Sequence, residues 1–166
     1  HSTLIIDNHS SCVINKSKDE IETGLKILSK NYLFEKDYWN IKVSHDGYYK
    51  RYGIIHERQI EFFPLKNKLI GRDKLIKKKK FKSSSFEIRF HLMPGTKIMK
   101  TIDEKSILID TEDEGWKFSS DDHNLDIETG LYFGKKNSYA ENQNLFISGI
   151  TRQDEQTIKW VFEKIT

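Results

Sequence analysis

Alternation with a period of two runs through this chain from end to end, and it constrains the fold more than any other feature. Phe86, Ile88, Phe90 and Leu92 alternate with Glu87, Arg89 and His91, and Trp39, Ile41 and Val43 alternate with Asn40, Lys42 and Ser44. Successive side chains of a strand point to opposite faces, so this pattern describes strands with one face buried. Similar segments cover residues 3–7, 54–63, 68–76, 96–100, 106–110, 115–118, 125–133, 143–149 and 157–165. Pro64 closes one of them, because a residue without an N–H cannot donate to a ladder. Residues 19–31 show only a weak helical spacing of Ile21, Leu25 and Leu28, interrupted by Gly24, and stay open between a helix and an irregular excursion. About ten or more short strands separated by turn residues predict an all-β fold, an antiparallel β-sandwich. Aromatic residues at the inward positions suit two sheets packed face to face.

The chain has 166 residues, two prolines and no Gly/Ser-rich linker, which predicts a single domain over 1–166. Apolar content of 36% is lean, so the 12% of aromatic residues must supply much of the core. The chain opens at His1 rather than methionine and runs at once into Leu4-Ile5-Ile6, as an N-terminally truncated piece of a longer protein would. Cys12, the single cysteine, excludes an internal disulfide and is expected as a small buried or half-buried hydrophobe. No apolar run reaches the roughly 18 residues of a membrane span. Net charge is +3, and the run Lys77 to Lys80 lacks interleaved aromatics, so it reads as a solvated loop and nucleic acid is not an expected partner.

Titratable residues crowd into 44–63. His45-Asp46-Gly47-Tyr48 is expected to be a turn between two strands, with Gly47 at positive φ. His45, Tyr48, Arg51, His56 and Arg58 lie close enough in sequence to grip an anionic sugar or acid as a group. The bland alternative is that the histidines hydrogen-bond to hold the hairpin, and that Arg58 pairs with Glu61 or Asp73. Gly71 inside a strand marks a bulge or a close approach. Trp39, Trp116 and Trp160 are expected in the core. Paired metal-ligand spacings, a phosphate-binding glycine loop and a serine nucleophile elbow are all missing from the sequence.

Several words occur in a fixed order: His1-Ser2-Thr3-Leu4, His45-Asp46-Gly47-Tyr48, Gly53-Ile54-Ile55-His56-Glu57-Arg58, Gly71-Arg72-Asp73, Arg89-Phe90-His91-Leu92-Met93-Pro94 and Gly115-Trp116-Lys117-Phe118. Glu128 to Phe133 and Ile158-Lys159-Trp160 complete the set. In these words the chain resembles the C-terminal β-sandwich domain of heparinase II/III-like polysaccharide lyases over essentially its whole length. The resemblance implies a longer enzyme with an N-terminal (α/α) toroid, an active site between the two domains, and β-elimination on an acidic polysaccharide such as a glycosaminoglycan. It implies a carbon–oxygen lyase in the full-length protein, and no turnover by this chain alone, because the toroid carries the tyrosine base and the group that neutralises the uronate carboxylate.

Carried over residue by residue, the resemblance implies His1 as the catalytic candidate and a possible metal ligand. It makes His45, Tyr48, Arg51, His56, Arg58 and His91 candidates for substrate contact. A divalent metal such as zinc is possible in the full-length protein, although Met93 replaces the second histidine that this branch commonly carries after His91. The cell envelope or periplasm is the implied compartment. A non-catalytic carbohydrate-binding or structural sandwich is the alternative.

Overall fold

The computed structural model describes residues 2–15, 17–18, 20–80, 82–121, 123–136, 138–152 and 154–166. Its strands are β1 (Leu4–Ile6), β2 (Val13–Asn15), β3 (Glu20–Thr23), β4 (Ile27–Phe34), β5 (Trp39–His45), β6 (Ile54–Phe63), β7 (Lys68–Lys77), β8 (Ser85–His91), β9 (Lys97–Lys100), β10 (Ser106–Asp110), β11 (Gly115–Ser120), β12 (Asn124–Lys135), β13 (Ser138–Ile150) and β14 (Gln156–Lys164), with a short α-helix, α1 (Tyr49–Tyr52), and a 3-10 turn at Pro64–Lys66. An eight-stranded sheet runs β4-β5-β6-β7-β14-β11-β10-β9, a four-stranded sheet runs β1-β8-β13-β12, and β2–β3 form a separate ribbon. Every pairing in the large and small sheets is antiparallel. The expected all-β sandwich is the observed fold.

The two inner faces interdigitate through aromatic rings. Phe90 of the small sheet lies 4.9 Å from Phe118 and 4.8 Å from Trp160 of the large one, centroid to centroid. Leu4, Ile6, Ile88 and Ile147 meet this wall and are fully buried. The small sheet does not reach across all eight strands. It covers β7, β14, β11 and β10 and the start of β6, and leaves the β4–β5–β6 corner open. Trp39, expected in the core, is 45% exposed there. Trp160 is buried in the core, as expected, and Trp116 packs against that core half-buried.

Two local expectations are corrected, and a third is narrowed to one of its alternatives. Residues 19–31 are neither helix nor irregular: β3 and β4 occupy most of the segment, Asp19 itself lying outside the described residues. The connection after β5 is longer than a tight turn and carries α1, and the positive φ falls on Gly53 (64°) at the end of that helix rather than on Gly47. Gly47 is required for a different reason, since a Cβ there would sit 2.6 Å from the Ser11 carbonyl oxygen. Gly71 makes no bulge; its pairing with β6 and β14 is in unbroken register. It provides the close approach instead, because a Cβ would overlap the Trp160 ring at 2.0 Å.

Candidate functional site

Register alone brings the titratable residues of 44–63 to one place. His45 of β5 lies opposite His56 of β6, and Arg58 lies opposite Asp73 of β7. Trp160 of β14 lies opposite Gly71. Residues two apart share a face, so His45, His56, Arg58, Asp73 and Trp160 all point inward.

Asp73 is the hub. It is completely buried and accepts four hydrogen bonds. His56 Nε2–H (2.7 Å) and Arg58 Nε–H (2.7 Å) reach Oδ1, while Arg58 Nη2–H (2.9 Å) and Trp160 Nε1–H (2.8 Å) reach Oδ2. Burial by itself raises its pKa, but His56 and the Arg58 guanidinium outweigh that and hold the carboxyl below its ordinary range. The forked Arg58 contact is the geometry that a carboxylate prefers. Gly71 is what admits the indole, so the Gly71-Arg72-Asp73 word encodes both the carboxylate and the space for its fourth donor.

The proton positions along the histidines follow from one backbone group. Gly47 N–H donates to His45 Nδ1 (3.2 Å), so that nitrogen carries a lone pair. His45 Nε2–H then donates to His56 Nδ1 (3.0 Å), and His56 Nε2–H donates to Asp73. The result is a directed chain from the Gly47 amide through two imidazoles to a buried carboxylate. Burial, together with the nearby His56 and Arg58, pushes the His45 pKa down to about 4 against the pull of Asp46 and Asp73. His45 is therefore neutral around neutral pH.

The other candidates divide. Tyr48 is buried, and its hydroxyl donates to the Leu4 carbonyl at 2.5 Å. Burial pushes its pKa well above the ordinary tyrosine value, so it is a clamp between α1 and β1 and not a proton acceptor. Arg51 is exposed on α1, outside the Asp73 hub. His91 stands on the outer face of the small sheet, its Nδ1 donating to Asn144 Oδ1 at 2.9 Å in a cluster with Asn142 and Glu128. His1 lies outside the described residues, but its neighbour Ser2 is held by Arg58 Nη1–H, which donates to the Ser2 carbonyl at 2.8 Å. Four of the seven sequence candidates, His45, Tyr48, His56 and Arg58, thus converge on one corner, while Arg51 and His91 do not join them.

The hub does not fit a divalent metal. Each carboxylate oxygen of Asp73 already takes two donors, His56 spends its Nε2 proton on the same carboxylate, and a guanidinium supplies the positive charge. No group of three His, Cys, Asp or Glu side chains suited to a metal occurs among the described residues. Reading the sequence missed that Asp73 is the centre and that Trp160 has a polar role as well as a packing one. The signal lay in register: the Arg of a His-x-Arg on one strand faces the Asp of a Gly-x-Asp on the next.

The fold and its inner wall thus define an antiparallel β-sandwich domain with a saturated Asp–His–His centre. The heparinase II/III-like C-terminal family model matches residues 1–161, and the chain belongs to that family. Among solved structures, heparan sulfate lyase HepC from Pedobacter heparinus superposes with a TM-score of 0.76 at 14% identity, over 99% of this chain and 24% of that one. A heparinase III, the BT4657 gene product, gives a TM-score of 0.70 at 13% identity, over 99% of this chain and 24% of that one. The chain thus spans about a quarter of the length of these lyases. No curated protein matches it significantly.

Proposed function

We propose that this chain is the C-terminal sandwich of a polysaccharide lyase that cleaves uronate-containing acidic glycans by β-elimination, and that it contributes residues to a cleft shared with an N-terminal toroid. The family match over residues 1–161 carries this reading. Support also comes from the solved lyases of the same fold, one of which acts on heparan sulfate.

In β-elimination a base takes the proton from C5 of the uronate, the electron pair forms the C4–C5 double bond, and the C4–oxygen bond breaks. The leaving oxygen needs a proton, and the carboxylate of the uronate needs its charge offset as the enolate develops. His1 is the proposed catalytic contribution of this chain, beside the Ser2 backbone that Arg58 anchors. His45 at the outer end of the relay, and Arg51 and His91 on the surface, are the proposed glycan contacts. Tyr48, His56 and Arg58 act by holding that corner, since their polar atoms are spent on Leu4, Asp73 and Ser2. The cell envelope or periplasm, where such glycans are met, is the proposed location.

The test uses the protein that carries this chain with its companion domain. Incubated with heparan sulfate, chondroitin-type and alginate-type glycans, it should generate the ultraviolet absorbance of an unsaturated uronate with at least one of them, and His1→Ala should remove that signal. Silence on every uronate glycan sinks the proposal.

A further inference from the structure

Cross-strand register draws a single row of side chains across the inner face of the large sheet: Phe34, Trp39, Phe62, Leu69, Phe162, Phe118 and Ile107. The small sheet buries the half that contains Phe118 and Ile107. The other half is uncovered, with Phe34 56% and Trp39 45% exposed, and Tyr32 in the adjoining row 63% exposed. Trp39, Ile41, Ile60, Phe62 and Leu69 line a hollow there without contributing one polar side chain. Tyr32, Phe34, Trp39 and Ile41, all large exposed hydrophobics, adjoin one another there, because Tyr32 pairs with Ile41 and Phe34 with Trp39. Contiguous apolar surface of this kind marks an interaction site, not ordinary scatter. β4, which ends the sheet, is exposed along its whole length and carries apolar residues on both faces. Such an edge is normally blunted or covered.

The occupant is indicated by how β1 is held. β1 ends the small sheet, and two of its outward carbonyls, with that of Ser2 just ahead of it, are capped in turn by Tyr52 of α1, by Tyr48 at the start of that helix and by Arg58 of β6. Tyr52 hydroxyl donates to Ile6 O (3.1 Å), Tyr48 hydroxyl to Leu4 O, and Arg58 Nη1–H to Ser2 O (2.8 Å). Followed from Ile6 back to Ser2, these anchors advance along the inner face of β6 from α1 to Arg58. The next inward residues of β6 are Ile60 and Phe62, in the uncovered hollow. Polypeptide joined ahead of this chain is therefore delivered to that face. A glycan is a poor occupant, because sugar hydroxyls need hydrogen-bond partners that the hollow lacks.

We propose that the Phe34–Trp39–Ile41–Ile60–Phe62 face is the docking surface for the companion N-terminal domain, covered by an apolar patch of that domain in the longer protein. This rests on reading the chain as the C-terminal domain of a two-domain protein, and goes beyond it by naming the contact face and Arg58–Ser2 as the pivot beside it.

Phe34→Thr/Trp39→Thr tests it, since threonine keeps strand propensity while removing the rings. In the protein carrying its companion domain, the variant should be cut by protease at the junction near residue 1 about tenfold faster or more than the parent, as loss of a central aromatic anchor pair implies. Its thermal unfolding should separate from one transition into two. Trp39→Phe should stay close to the parent, and the double variant of the 166-residue chain should keep that chain's own unfolding transition. An unchanged cleavage rate and a single transition overturn the proposal. So does a 166-residue chain that dimerises through this face while the companion-bearing variant behaves as the parent, and so does a longer protein with no folded domain ahead of residue 1. None of these readouts is lyase activity. Docking that persists in a protein inactive on every glycan therefore removes the lyase reading alone, and intact elimination without docking removes only this one.

Discussion

The two halves of the Phe34-to-Ile107 row are built from the same chemistry and differ only in what lies over them. Phe118 and Phe162 pack at 4.6 Å beneath Phe90, whereas Phe34 and Trp39 meet edge-on at 6.0 Å and stay exposed among the described residues. Strand register made the row continuous, and the smaller second sheet cut it in two. At the boundary stand Arg58, Asp73 and Trp160, where a saturated charge centre replaces apolar packing. An aromatic residue's inward direction is thus a property of its strand, while its burial depends on a neighbour that the strand does not specify.

The largest expected effect breaks the row on its covered side. Phe118→Ala should cost about 3 to 5 kcal/mol in denaturant unfolding, the usual loss for a buried ring, while Trp39→Ala in the 166-residue chain should cost less than about 1 kcal/mol. Equal losses at the two positions would erase the distinction between the halves.

Next comes the boundary. Asp73→Asn leaves the Arg58 guanidinium without its counter-charge in a largely buried setting, and about 3 kcal/mol of stability should be lost, with Trp160 fluorescence reporting the change around its indole. A loss no larger than for an exposed residue would mean that Arg58 reaches solvent at little cost and that the hub is not a fixed centre.

The smallest effect is a pH dependence. His45 has its folded pKa depressed to about 4 against an unfolded value of 6.5, by burial and by His56 and Arg58. Unfolded chain therefore binds more protons between those values, so this contribution is fully present above pH 6.5 and is lost as pH falls toward 4. Asp73, lowered in the folded state, adds a loss of the same sign at still lower pH, below its ordinary 3.8. His45→Gln keeps an amide N–H for His56 and removes the titration. Melting temperature followed from pH 7 to 4.5 should fall less for the variant than for the parent, and parallel curves would show that His45 titrates as an ordinary surface histidine.

Much of the fold was legible because alternation is a local property. The strands around Trp39, Phe86 and Ile158 follow from period two alone, and Pro64 marks the end of β6. β3 and β4 were hidden for the same reason: β4 is exposed on both faces, so it has no buried face to write a pattern. At the site, the sequence showed His45, His56 and Arg58 crowded together and offered Asp73 as one of two partners for Arg58. It did not show that a glycine two residues before Asp73 admits Trp160 from a strand nearly ninety residues later. That contact depends on the pairing of β7 with β14, which no local spacing records.

By itself, then, the sequence determined that the chain forms an antiparallel sandwich of the heparinase II/III-like C-terminal kind and that its titratable residues gather beside β5 and β6. Only the tertiary structure decided which of them are spent internally. Tyr48, His56 and Arg58 became clamps because β1 and β7 present a carbonyl ladder and a buried carboxylate to them. Trp39, with the same alternating signature as Phe118, was left uncovered on the inner face because the second sheet ends before it reaches β5.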